Sequence, residues 1–241
     1  MKFRYAMNGI IDTSFDVYSD TPPGKDPDSH SPTLRKYHKI LWDKSLPNGQ
    51  VFSLTDSLAS SYLHHESKLG VFPLSSDAIT HTYSRVRSMA HITDQVPLPE
   101  MKQFFSACST IGGYIVFPSN KIDGKMTING SRGLNPFIRD RFDLTLECIK
   151  RHYTDESSPL SETLGRYATF FRLFLDFKGY VEFFLLQDLI ERDSEKIKFW
   201  LPFNGFDRSP LPSGVYEYQS YKKRVTDFVA NRNKRMLNSV N

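Results

Sequence analysis

GGYIVFPSNKIDGKMTINGSRGLNPFIRDRFDLTLECIKRHY, Gly112–Tyr153, holds a buried-strand signature, a polar loop and an amphipathic helix in one run. Gly113 to Pro118 is an apolar stretch between paired glycines and a proline, which reads as a covered strand. Asp123-Gly124 suits a tight turn, and Met126-Thr127-Ile128 then reads as a returning strand. Asn135-Pro136 has the form of a helix start, a capping side chain followed by a ring already set at helical φ. Beyond it Ile138, Phe142, Leu146, Ile149 and Tyr153 fall on one apolar stripe. Arg139, Asp143, Glu147 and Arg151 fall on another face. The expectation is an α+β fold: a small, mostly antiparallel sheet from the middle third, flanked by the helices that follow Asn135.

Working outward, Ser158-Pro159 opens a helix through Leu164, Tyr167, Phe171 and Phe174, and Gly179 separates it from a second helical run, Val181 to Ile190. Lys198 to Phe203 reads as a strand. Pro210 and Pro212 precede a last helix from about Val215 to Leu237. Upstream, Ser31-Pro32 opens a helix carrying Leu34, Tyr37, His38 and Leu41, which stops before Pro47-Asn48-Gly49. Short strands are expected at Val51–Leu54, Ser61–His64 and Val71–Leu74, and Pro99-Glu100 opens another helix. Three prolines between Asp20 and His30 mark residues 1–30 as an irregular N-terminal arm, leaving 31–241 as a single α+β domain.

Composition bounds the class. The chain has 241 residues, 39% hydrophobic and 24% charged, with a net charge of +4, the profile of a globular protein that tolerates a phosphorylated partner without requiring one. The two cysteines, Cys108 and Cys148, have no CxxC or zinc-ligand spacing and are expected as thiols. No apolar run approaches a membrane span, so a cytoplasmic protein with no membrane partner is expected. Walker A, GxGxxG, HExxH and GxSxG motifs are all absent.

Long segments carry a resemblance. HSPTLRKYHKILWDKSLPNG (His30–Gly49), LGVFPLSSDAITHTYSR (Leu69–Arg85), TIGGYIVFP (Thr110–Pro118), KMTINGSRG (Lys125–Gly133), DRFDLTLECIKRHY (Asp140–Tyr153) and FKGYVEFFLLQDL (Phe177–Leu189) resemble an uncharacterised bacterial family known only as a domain of unknown function. The likeness runs from about Phe15 to Asn233. It implies one full-length domain of bacterial or phage origin, and no reaction, cofactor or catalytic residue.

Two constellations carry candidate chemistry. In the first, Asn129-Gly130-Ser131-Arg132-Gly133 precedes the expected helix start, where free N–H groups and the macrodipole attract anions. Arg132 supplies a planar fork, Arg139 and Arg151 hold phosphate, and Glu147 or His152 moves a proton. On this account Arg132 is partly accessible and faces a concave pocket near His65, His81 or His152. The alternative buries Arg132 against a carboxylate. The second constellation is His64-His65-Glu66 with Ser75-Ser76-Asp77 and His81, whose order is similar to that of ADP-ribosyltransferase folds. His65 and Ser75 would then hold NAD. The downstream glutamate is open between Glu147 and Glu182, and no metal-ligand set is evident. The aromatic run from Phe170 to Phe184 is expected as core, and the basic last helix as a solvated face. The functional expectation is a nucleotide- or RNA-acting enzyme, of the kind used as a bacterial toxin or phage-defence effector. Alternatives are a non-catalytic nucleotide-binding or protein-interaction module, and an ADP-ribosyltransferase-like enzyme using NAD.

Overall fold

In the computed structural model, which describes residues 11–56 and 62–240, the chain turns at Pro47-Asn48-Gly49 between β1 (Lys44–Ser45) and β2 (Val51–Phe52), a two-residue antiparallel ribbon. The main sheet joins β3 (Leu63–Ser67), β4 (Gly70–Ala78) and β5 (Tyr114–Pro118), all antiparallel, with β4 in the centre. Leu63 faces Leu74, His65 faces Phe72, and Ala78 faces Tyr114. β5 is buried throughout, as its apolar run requires. Side chains alternate across a strand, so Phe72, Leu74 and Ser76 share one face of β4 while Val71, Pro73, Ser75 and Asp77 share the other.

The helices are α1 (Pro27–His30), α2 (Pro32–Trp42), α3 (Ala90–Thr93), α4 (Leu98–Cys108), α5 (Ile128–Leu134), α6 (Phe142–Tyr153), α7 (Ser161–Arg166), α8 (Ala168–Phe171), α9 (Phe177–Phe183) and α10 (Val215–Val240). With the two small sheets they make a small α+β fold. Ser31 caps α2 by accepting the Leu34 N–H at 3.0 Å, as Ser-Pro predicts. Ile138, Phe142, Leu146 and Ile149 are all fully buried, as expected, while Tyr153 is half-buried and Ile138 precedes α6. Phe170, Phe171, Phe174, Phe183 and Phe184 interlock with Tyr180 at centroid separations between 4.9 and 5.8 Å, as core. Cys108 and Cys148 are buried thiols. Among the described residues no helix is long and apolar enough to cross a membrane.

Two buried polar devices tie this core together. His38 on α2 accepts the Trp42 indole N–H at Nδ1 (2.9 Å), so its Nε2–H donates to the Ser76 hydroxyl (2.8 Å). Burial holds this imidazole neutral, with its pKa pushed down to about 3 and the Arg232 charge adding to the effect. On α10, Arg232 is fully buried and donates to the carbonyls of Gly112 (2.8 Å), Tyr114 (2.7 Å) and Phe184 (3.1 Å).

Several expected elements differ. Met126–Ile128 is not a strand: the Thr127 hydroxyl accepts the Gly130 N–H (3.3 Å) and starts α5, which absorbs Asn129–Leu134. Asn135-Pro136 does not start a helix. The Asn135 side chain takes the Phe137 N–H (2.9 Å) in a local turn, Arg139 and Asp140 adopt positive φ, and α6 begins only at Phe142. Ser158 to Phe174 is divided into α7, α8 and a 3-10 turn. Gly179 lies inside α9; the break is Leu175 at φ 68°, followed by Asp176, which caps at Gly179 N–H (2.7 Å). Gly179 is required for approach, since a Cβ there would meet the Phe174 carbonyl oxygen at 2.1 Å. Lys198–Phe203 forms no strand, because the Trp200 N–H is taken by the Asp143 carboxylate (2.8 Å). Of the expected arm, residues 1–10 lie outside the described residues, as does Ser61. Within residues 11–30, Ile11, Val17 and Pro27 are buried, the Val17 N–H donates to the Ser109 carbonyl (3.0 Å), and Pro22 to Asp26 are exposed.

Candidate functional site

The segment that carries the most charge in the sequence uses that charge on its own fold. Arg132 is 1% exposed. Its guanidinium donates to the carbonyls of Ala78 and Asp140 (both 2.8 Å), to Asn129 Oδ1 (3.1 Å) and to Thr145 Oγ1 (3.3 Å). The Asp140 carboxylate lies 3.8 Å away. The expectation of an accessible Arg132 facing a pocket is therefore corrected. With α5 already begun at Ile128, the loop that was to cradle an anion is helix, and the fork is consumed by protein acceptors. Arg141 is buried too, bidentate to Asp143 at 2.5 and 3.1 Å, and it ties the start of α6 to Leu201 and Pro210.

The other predicted residues are scattered. Glu147 and Arg151 pair with each other on α6 (2.8 Å), and Arg151 also lies over the Phe206 ring. His152 packs on Phe171 at 5.2 Å, its pKa lowered by burial against an opposing pull from Asp155. Arg139 is exposed, and its carbonyl accepts the Tyr83 hydroxyl (2.8 Å). His65 is buried between Phe52 and Phe72, with Nδ1 on the Ser53 carbonyl (3.2 Å) and Nε2 without a partner. Burial depresses its pKa. Because His65 pairs with Phe72, it sits on the face opposite Ser75. The shared pocket that an NAD reading needs does not form.

One predicted residue, His81, does line a groove. The segment leaving β4 runs past α4 and under Tyr18, enclosing a cavity of about 190 Å³ lined by Tyr18, Thr80, His81, Thr82, Arg85 and Phe105, among others. Its wall is held firmly. The Tyr221 hydroxyl donates to the His81 carbonyl (2.8 Å), and the Tyr218 hydroxyl to that of Thr82. Tyr83, next in the chain, is buried against the Tyr221 ring at φ 57°, a costly conformation for an aromatic residue. The Tyr83 N–H donates to His81 Nδ1 (2.9 Å), so the neutral ring carries its proton on Nε2. Burial and the Arg132 charge lower the His81 pKa, and Asp140 opposes them. His81 is thus a neutral donor suited to an anionic or carbonyl oxygen. Arg132 acts behind it, fixing Ala78 and Asp140 on either side of this corner.

Behind the groove, Asp77 on β4 is 3% exposed and holds the Ser75 hydroxyl at 3.1 Å. Burial raises its pKa to about 7, against the Arg132 charge. Asp28 on α1 is half-buried and raised to about 8 by burial and by the charges of Asp26 and Asp77. Asp28 is within electrostatic reach of Tyr18 and Tyr114, two of the lining rings. Carboxyls that titrate near neutrality beside a cavity suit proton exchange. Among the described residues no group of three or more His, Cys, Asp or Glu is placed to hold a metal ion.

The sequence reading selected His81 and Ser75 but missed Tyr18, Asp28, Arg85 and Phe105. One local signal was present: Thr80, Thr82 and Ser84 alternate with His81, Tyr83 and Arg85.

A model of DUF6994, a family of unknown function, matches residues 11–236. The chain belongs to this family. The match spans the groove, the main sheet and most of α10. No curated protein and no solved structure matches the chain.

Proposed function

We propose that this DUF6994 chain is an enzyme acting on a nucleotide or on RNA, with its site in the His81–Arg85 groove. The observation that carries this reading is the lining. It holds Arg85, a neutral His81 with its proton on Nε2, and the hydroxyls of Thr80, Thr82 and Ser84, and it includes no Asp or Glu. Such a set receives a phosphate oxygen, while Asp16 and Asp26 act electrostatically on the lining rings Tyr18 and Tyr114 from outside the lining. Arg85 at the exposed rim takes the phosphate charge, His81 donates to a phosphate oxygen, and the paired rings of Tyr18 and Phe105 support a base. Asp28, held protonated near neutral pH, donates its proton to the leaving oxygen as water attacks phosphorus and the P–O bond breaks, and it recovers a proton from that water. In a cell this activity fits a toxin or defence effector working in the cytoplasm.

The test is calorimetric titration with uridine monophosphate, alongside a turnover assay. Arg85→Ala and His81→Gln each weaken binding by about tenfold or more, the loss of one charge-assisted contact. Asp28→Asn keeps binding and loses turnover. Wild-type affinity in Arg85→Ala sinks the assignment of the groove. A second reading, a nucleotide-binding module without turnover, is favoured by one fact: neither Asp28 nor Asp77 is part of the lining itself. Turnover that survives in Asp28→Asn removes the proton-exchange role.

A further inference from the structure

Resting on that reading, we infer that the groove takes a single strand of RNA spanning more than one nucleotide, and that Lys102 holds its second phosphate. The first cavity does not end at Phe105. A neighbouring cavity of about 350 Å³, lined by Thr82, Ser84, Leu98, Met101, Lys102 and Phe105, shares Thr82, Ser84 and Phe105 with it. The two adjoin along α4, with Thr82, Ser84 and Phe105 as their common wall. Lys102 stands one turn before Phe105 on the same helix face, so a cation and a ring line the second cavity together. Neither cavity is lined by a carboxylate, although 24% of the chain is charged. Each is lined by one cation, Arg85 in the first and Lys102 in the second.

The rings point to bases. Tyr18 is 43% and Phe105 38% exposed, and their centroids lie 5.1 Å apart at 39°. Aromatic side chains that remain open beside a charged track are what unpaired bases stack upon, with little dependence on sequence. Leu98, 66% exposed, extends the apolar floor of the second cavity. A row of three hydroxyls along the two cavities is suited to a ribose 2′-OH, which both donates and accepts. The groove also has an end. A third cavity, reached past Ser84, Leu98 and Met101, is lined by Asp94, whose charge turns a further phosphate away. The strand that fits is therefore short, with the reacting phosphate at Arg85 and His81 and the next at Lys102.

The experiment compares uridine monophosphate with a 5′-phosphorylated uridine trinucleotide, titrated into the full chain over a range of salt. The trinucleotide binds about tenfold tighter or more, through one of its two added phosphates, held at Lys102, and one of its two added bases. Lys102→Ala cancels that advantage and leaves the mononucleotide unchanged. It also lowers the slope of log affinity against log salt by about 0.7, one contact's worth for a single strand. Phe105→Ala weakens the trinucleotide by about tenfold. Lys102 is exposed, so Lys102→Ala keeps the wild-type melting temperature and a folding defect is separated from a binding one; Phe105 packs on Tyr18, so binding by Phe105→Ala is read well below its own melt. A mononucleotide that binds with no gain from the trinucleotide overturns the strand inference and leaves the nucleotide reading standing. If neither binds, both fall. Equal affinity for the deoxy trinucleotide overturns the assignment to RNA, and a hexaglutamate peptide that competes as strongly replaces the strand with an acidic peptide.

Discussion

Arg132→Lys separates a ligand-binding arginine from one that builds the site. The guanidinium serves four acceptors at once, two of them backbone carbonyls on separate segments, Ala78 and Asp140. A lysine keeps the charge but presents a single nitrogen, which cannot span both carbonyls. At least one carbonyl and one side-chain partner are left unpaired in the interior, each costing about 1–3 kcal/mol. The expected loss is about 2–6 kcal/mol. For a chain of this size it lowers the melting temperature by roughly 4–24 °C. Circular dichroism melts give the stability, and calorimetry with uridine monophosphate, well below the melt, gives the binding. The variant melts early and still binds. A melting temperature within about 1 °C of wild type together with lost binding refutes the reasoning, because the guanidinium would then be meeting the ligand and not the fold.

His38 stays neutral in the fold until its pKa of about 3, while in the unfolded chain it protonates near 6.5. Its contribution to stability therefore falls as pH drops through that window, by about 3 kcal/mol at about pH 4.5; denaturant melts of His38→Gln at both ends of the window should show that much less acid loss, and an unchanged acid limb rejects the account. Asp77 runs the opposite way. Its raised pKa of about 7 means that the fold holds a proton the unfolded chain has released, so stability falls as pH rises from about 4 to 7 and stays low above it. Asp77→Asn should melt above wild type at about pH 8 and lose that advantage near pH 4; the reverse order would show that the native carboxylate is stabilised. Phe142→Ala empties a fully buried site and should cost about 3–5 kcal/mol in urea unfolding, whereas a loss below about 1 kcal/mol places that ring outside the core.

The elements that were legible in the sequence are those whose reason is local. The stripe of Phe142, Leu146 and Ile149 follows from helical period alone, β5 from an apolar run between glycines and a proline, and α2 from Ser31-Pro32. The start of α5 was not legible. Met-Thr-Ile is good strand material, and what overrides it is the Thr127 cap together with the burial of Arg132, whose acceptors lie as far away as Ala78. Arg139 and Asp140 at positive φ carry no sequence mark, so Asn135-Pro136 passed for a helix start. The groove suffers most from distance. Tyr18, His81 and Phe105 meet only because β4 and β5 pair, with α4 formed between them. Charge density drew attention to residues 121–152, yet most of that charge is neutralised within the fold, while the accessible cations of the groove, Arg85 and Lys102, stand outside that segment.

The Arg232 clasp bears on the order in which the chain can become itself. Its three acceptors belong to residues 112, 114 and 184, and until a guanidinium arrives those carbonyls have no partner from α10. The donor lies 118 and 120 positions after two of them. Contacts at such separations form late, after the entropy of the intervening loop has been surrendered. A growing chain on the ribosome can therefore assemble the hairpin of β3 and β4 early, but it cannot seal the edge of β5 until α10 has emerged. Translation of the last helix is the moment of commitment, and a pause in synthesis before residue 232 would hold the nascent protein with an open sheet edge, the state most exposed to mispairing with its neighbours.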